Sequence, residues 1–262
     1  MSENICMLLA SPGGSFADQV FQEYRSSVGD ICDVIKVVHV KDEESPPFNE
    51  RDGILTLNNK QIFAEVVHSK DISRGLIPGN VDLKMIRAVS GLNKSYSRYI
   101  WMEYDVMATG DVRQSMERLI CATKDCDFAG SYISPWRNNN WVWWKTLELP
   151  KDLSVSPDSV AYGAFLPLIV FSRRYIDAYA EQIALGWKGH QEVTMPSVAN
   201  FVGLRMLDLS KTTPPFTHYP QFNVHKVDRL RECVPLFVHP VKDLTAKAAI
   251  AADLTSVSIS QK

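Results

Sequence analysis

The sequence predicts a single α/β domain, and three observations support it. Short apolar runs alternate with segments whose apolar residues recur at helical spacing, beginning close to the start of the chain. That alternation is the pattern of a sheet built from β-α units. The 262 residues, 45% apolar and 22% charged, have an ordinary globular composition and enough length to bury a core without disulfides or a structural metal. No internal repeat or linker divides them; the expected domain covers 1–243, followed by a helical or flexible tail at 244–262.

The elements follow in order. ICMLLA is a buried strand that breaks at Ser11-Pro12-Gly13-Gly14. Phe16, Val20, Phe21 and Tyr24 then share one helix face up to Gly29. DVIKVVHV is β-branched enough for a second strand, and the acidic, proline-bearing stretch 41–51 reads as a loop. A helix follows Pro78, with Val81, Met85, Ile86 and Val89 as its apolar stripe and Gly91 as its stop. RYIWMEYDV is the next strand. Gly110 and Asp111 can cap a helix carrying Val112, Met116, Leu119 and Ile120, after which CDFAGSYI is strand-like. WRNNNWVWWK fits no regular period. AYGAFLPLIVF is apolar, and Ser172 can cap a helix bearing Ile176, Tyr179 and Ile183. GHQEVTMPSVANFVG predicts a helix with Pro196 near its first turn, and LRMLDL a short strand. PPFTHYPQF is a proline-punctuated loop, PLFVHPVK the last ordered segment, and the tail opens as an Ala-rich helix.

Several function classes are excluded by composition. A net charge of -2, with no run of Lys or Arg, argues against a nucleic-acid partner. Five cysteines without a C-x-x-C spacing argue against a zinc cluster; Cys6, Cys32 and Cys121 lie in apolar segments, where buried free thiols are expected. The opening residues lack a basic stretch and a long apolar run, and the apolar stretch 161–171 is shorter than the roughly 20 residues of a spanning helix. The expectation is a cytoplasmic protein with at most peripheral contact at the inner face of a membrane. No G-x-G-x-x-G follows a strand, and no G-x-S-x-G is present, which disfavours dehydrogenases and serine hydrolases.

In open α/β sheets, ligands sit outside the carboxyl ends of the strands, which marks 10–14 and 102–106 as site walls. Glu103 and Asp105 fall in the second of these. Two carboxylates at i and i+2 point the same way when the segment is extended, and could then hold Mg²⁺ or Mn²⁺. With 30 acids in the chain, roughly three such pairs arise by chance, so place rather than spacing singles this one out. Capping of the next helix is the other reading.

An apolar strand closed by acid-x-acid, then a small-residue turn and a helix, resembles the Asp-x-Asp region of GT-A glycosyltransferases. The resemblance runs in order over most of residues 4–242. It implies a single-domain, GT-A-like (Rossmann-like) mixed sheet flanked by helices, an enzyme, a nucleotide-sugar donor and a carbohydrate or glycolipid acceptor. It implies that Asp105 ligates the metal with Glu103 as its partner, Glu standing where the family has Asp. Ala10, Ser11 and Pro12 occupy the place of nucleoside contacts, and Lys84 and Arg87 that of donor-contacting basic residues. In FVHPVK, His239 matches a C-terminal metal ligand and Lys242 a diphosphate contact.

GHQEVTMPSVANFVGLRMLDL resembles the acidic motif of inverting members, which makes Glu192 the candidate base for an acceptor hydroxyl. An acid in a first helical turn is also favoured by the helix dipole alone. His190 could orient Glu192 or the acceptor, or be a structural histidine. Trp136, Trp141, Trp143 and Trp144, with Asn138 among them, suit an acceptor-binding loop, since sugar C–H faces pack on indoles; a buried aromatic patch is the alternative. His39, His68, His218 and His225 have no such spacing. Two rival functions remain open: a sugar nucleotidyltransferase, weakened by the lack of Lys or Arg in SPGGSFADQ, and a noncatalytic sugar- or nucleotide-binding module.

Overall fold

The computed structural model describes residues 4–40, 52–60, 62, 80–138, 140–225, 227, 230 and 234–260, with the side chains of 255–260 aside. The strands are β1 Ile5–Ser11, β2 Asp33–Val40, β3 Ile54–Asn58, β4 Arg98–Glu103, β5 Met107–Ala108, β6 Phe128–Pro135, β7 Tyr162–Ser172, β8 Met206–Asp208 and β9 Phe237–Val238. The helices are α1 Ser15–Val28, α2 Val81–Gly91, α3 Val112–Thr123, α4 Pro157–Val160, α5 Arg173–Ala184, α6 Gln191–Phe201 and α7 Leu244–Ser260. Seven strands form one mixed sheet in the order β3-β2-β1-β4-β7-β6-β8. Only β7 runs against both neighbours, β4 and β6. The mixed sheet with flanking helices is therefore as expected; the loop expected at 41–51 lies outside the described residues.

The pleat explains how one short sequence serves two cores. Alternate residues of β1 and β4 point to opposite faces. Cys6, Leu8, Tyr99 and Trp101 pack with α2, α5 and α6 on one face. Met7, Leu9, Ile100 and Met102 pack with α1 and α3 on the other. A central parallel strand covered on both sides has no polar face, which is why ICMLLA reads as an unbroken apolar run.

The caps behave as local chemistry dictates. Asp111 accepts from Gln114 N at 2.7 Å to start α3, and Ser172 accepts from Tyr175 N at 3.1 Å to start α5.

Four expectations need correction. The strand RYIWMEYDV ends at Glu103, because Val106 N turns back to Glu103 O at 3.0 Å and closes a turn over Tyr104 and Asp105. Pro196 lies in the second turn of α6, as the sixth residue of a helix that begins at Gln191. Cys121 is exposed, on the solvent side of α3, whereas Cys6 and Cys32 are buried thiols; Cys233 is outside the described residues. Strand β3 was not expected at all: ILTLN is a five-residue edge strand paired with β2, too short to stand out from its surroundings. At the C-terminus, the first turns of α7 dock on the body, with Ala246 and Ile250 buried against Val238 and Val241.

Candidate active site

Register brings the two predicted walls together. β1 and β4 are parallel neighbours with Ala10 opposite Glu103, and Tyr104 N donates to Ala10 O at 2.9 Å. Beyond Glu103 the turn drives the Asp105 side chain inward, leaving it 1% exposed. The carboxylates thus converge from a strand end and a turn, not from an extended i, i+2 pair.

The third member arrives from far along the chain. Val241 N donates to Asp105 O at 2.8 Å, which pins the segment after β9 against the turn. His239 N donates to Gln221 O at 2.9 Å, and His239 Nδ1 lies 2.7 Å from Asn223 O. A carbonyl oxygen only accepts, so Nδ1 carries the hydrogen. Nε2 is then left facing Glu103 Oε2 and Asp105 Oδ1, each at 3.4 Å. Asp105 Oδ1 and His239 Nε2 are both shielded from water and make no hydrogen bond.

Three ligand atoms, one each from Glu103, Asp105 and His239, therefore converge within 4.8 Å of one another. Two carboxylate oxygens and an imidazole nitrogen need a cation between them, and the set suits Mn²⁺ or Mg²⁺. Without a metal the proton takes that part. Burial works against a charged His239, yet the Asp105 and Glu103 carboxylates hold its pKa up at about 9. Burial likewise pushes Asp105 up, but His239 and Lys242 outweigh it and keep the carboxyl below its ordinary value.

Lys242 pairs with Asp105 Oδ2 through its ammonium, which also lies 5.8 Å from the centre of the Tyr104 ring. Lys84 is buried on α2, and desolvation brings its pKa down to about 8 against the pull of Glu103. Arg87 turns back along its own helix, donating to Ser90 Oγ at 3.2 Å. Ser11 is buried at the end of β1, accepting from Gly13 N at 3.0 Å, beside half-buried Ala10 and exposed Pro12.

A cleft of about 260 Å³ is lined by Glu103, His239 and Lys242 together with Glu192, Phe165 and Pro167. Glu192 sits in the first turn of α6. Its Oε2 accepts from Trp141 Nε1 at 2.9 Å. Burial lifts its pKa to about 7, with the Trp141 indole opposing and the Glu103 charge adding.

His190 is the N-cap of α6, its Nδ1 accepting from Glu192 N at 3.2 Å. Gly189 makes this approach possible: at φ 129°, a Cβ there would lie 2.6 Å from Thr146 O. The tryptophans occupy an irregular stretch with two 3-10 turns, Trp136–Asn138 and Trp144–Thr146. Trp143 stacks on His190, Trp144 meets Trp136 edge-on at 6.5 Å, and Trp136 and Asn138 are exposed.

Sequence reasoning missed Gln191 and Phe165, which line the cleft, and Asn223, which fixes the tautomer of His239. Gln191 was within reach as the neighbour of Glu192. Asn223 acts through its backbone carbonyl, for which no side-chain signal exists.

No protein-family model matches the chain, and no curated protein matches it in sequence. Solved structures give likenesses of chain path at low identity. A glycosyltransferase involved in the glycosylation of the major capsid of PBCV-1 is 11% identical over 97% of this chain and 99% of its own, with a TM-score of 0.43. Glucosyl-3-phosphoglycerate synthase from Mycobacterium tuberculosis, solved with Mn²⁺, uridine diphosphate and phosphoglyceric acid, is 11% identical over 99% of this chain and 78% of its own, at 0.44. The 4-diphosphocytidyl-2C-methyl-D-erythritol synthase of Anaerococcus prevotii is 10% identical over 79% and 87%, at 0.43.

Proposed function

We propose that this chain is a metal-dependent glycosyltransferase that moves a sugar from a nucleotide-sugar donor to an acceptor hydroxyl with inversion. One observation carries the reading: Glu103, His239 and Lys242 line the same cleft as Glu192. That is a cation and diphosphate site facing a carboxylate poised near neutrality.

Glu103, Asp105 and His239 would hold the Mn²⁺ or Mg²⁺, which when bound neutralises charge on the leaving diphosphate. Lys242, half exposed, can exchange Asp105 for a diphosphate oxygen, and Lys84 adds positive charge beside Glu103. The end of β1, at Ala10, Ser11 and Pro12, abuts Glu103 and receives the nucleoside. Glu192 takes the proton of the acceptor hydroxyl as that oxygen bonds to the anomeric carbon. The carbon–oxygen bond to the diphosphate breaks on the opposite face, its electron pair leaving with the nucleotide. Exposed Trp136 and Asn138 offer a stacking face and an amide to a carbohydrate or glycolipid acceptor. Cell-surface or exported glycan synthesis from the cytosolic side is the role we assign; among the described residues, no helix is long and apolar enough to cross a membrane.

A thermal-shift panel of UDP-, GDP-, CMP- and dTDP-sugars with and without Mn²⁺ tests the donor, because a ligand of the native state raises Tm. One nucleotide series should stabilise the protein only with the metal. Hydrolysis of that donor should fall at least about 100-fold in Asp105→Ala. Metal-dependent binding without hydrolysis would leave a binding module instead, and product of retained configuration would remove Glu192 as base in a single displacement.

A further inference from the structure

The tryptophan segment does more than border the cleft. Trp141 aims its indole N–H at Glu192 Oε2, 2.9 Å away, and is itself half-buried. Trp143 lies flat on His190, with centroids 3.9 Å apart and planes 7° from parallel. His190 caps α6 through the N–H of Glu192, and its own N–H donates to Thr146 Oγ1 at 3.0 Å. All of these contacts end on the residues that open α6. A ring whose face is covered by imidazole, and another whose polar edge is engaged by a carboxylate, are held in place before any sugar arrives.

We propose that Trp141 is a positioning residue for Glu192, with Trp143 closing the clamp through His190, rather than a platform for the acceptor sugar. The inference rests on the reading of Glu192 as proton acceptor. A glutamate has three side-chain torsions, and across the cleft His239 would attract its free charge. The Trp141 N–H occupies one lone pair of the carboxylate and Trp143 supplies a second hydrogen bond, while the remaining lone pairs can take the acceptor hydroxyl. Being neutral, the indoles do so without the large pKa depression that Lys or Arg would impose. The choice of donor therefore matters as much as its position.

Other groups set the background against which this contact acts. Glu103 and His239 face Glu192 with opposite effects. On the helices packed against α6, α2 carries Lys84 and Asp82, and Asp82 accepts from the Tyr179 hydroxyl of α5. None of these is altered by a change at Trp141.

The test uses the metal-free full chain with carboxyl-labelled glutamate, following Glu192 by carbon NMR against pH. Trp141→Phe removes the N–H and keeps an aromatic ring. Benzothienylalanine at the same position keeps both rings and replaces only the N–H, which guards against a folding defect. Both should raise the Glu192 midpoint by about one pH unit, since a hydrogen bond to the charged form is lost. The pH profile of donor hydrolysis should move by the same amount. An unchanged midpoint in the benzothienylalanine protein overturns the inference. Glu192→Gln separates the two levels: if it abolishes hydrolysis while the Trp141 replacements leave the midpoint unmoved, only the clamp fails. If Glu192→Gln retains full turnover, the base reading fails first.

Discussion

At the scale of single residues, burial sets the behaviour of Glu192 more than any charged neighbour does. Its carboxyl is shifted from its ordinary 4.5 to about 7, so it is ionised only at and above neutral pH. A base must be ionised to act, so turnover should rise with pH through about 7 and level off above it; a pH–rate profile of donor hydrolysis checks this. The same shift acts on folding with a defined sign. A carboxyl with a raised folded-state pKa stabilises the fold most below 4.5, and that contribution is lost as pH rises through about 7. Glu192→Gln should therefore melt a few degrees higher than the parent at pH 8 and show little difference at pH 4.5, measured by calorimetry. His239 illustrates the complementary case. A backbone carbonyl holds the hydrogen on Nδ1, which leaves Nε2 facing Glu103 and Asp105.

At the scale of elements, the contacts that matter join helix ends to strands. Arg98 opens β4 but spends its guanidinium on the C-terminal end of α3, bonding the carbonyls of Thr123 and Lys124 and, at 3.3 Å, that of Cys126. Thr123 and Lys124 are the last residue and the C-cap of that helix, so the guanidinium sits at the negative end of its dipole. Arg98→Leu should lose about 1–3 kcal/mol in urea denaturation, because the buried Thr123 carbonyl and two part-buried ones lose a charged donor at once. The tryptophan segment obeys a similar logic from the opposite direction. A Cβ at Gly163 would lie 2.9 Å from the Trp144 ring, so the glycine of β7 is what lets the indole lie against the strand. The irregular stretch is thus shaped by what it packs on, not by a periodicity of its own.

At the scale of the whole molecule, the site joins sequence-distant parts: the end of β4, the start of α6 and the segment after β9. The last of these is tied to the first by Val241 N to Asp105 O, and to α1 by the ion pair of Lys247 with Glu23. Filling the cation site should bind these parts more tightly together. With Mn²⁺ and the nucleotide diphosphate of the panel, amide exchange should slow around 237–242 and 103–106. Residues 93–96, at the opposite end of β4, should change little. Hydrogen exchange read by mass spectrometry would show it, and uniform slowing over both ends would argue for global stabilisation instead of a local site.

The sequence by itself determined the α/β class, most of the elements, and the position of Glu103 and Asp105 at the mouth of β4, because burial periodicity and cap chemistry are local. It also marked Glu192 and His239 through resemblance, and the tryptophans through their clustering. Only the tertiary structure decided that Asp105 enters the site from a turn and that Asn223 orients His239. It alone placed Trp141 on Glu192 and brought Glu103 and His239 within 3.4 Å across 136 positions of chain. Those are long-range contacts, in which one partner is often a backbone group. Their geometry depends on where the sheet and helices pack, and no spacing along the chain encodes that.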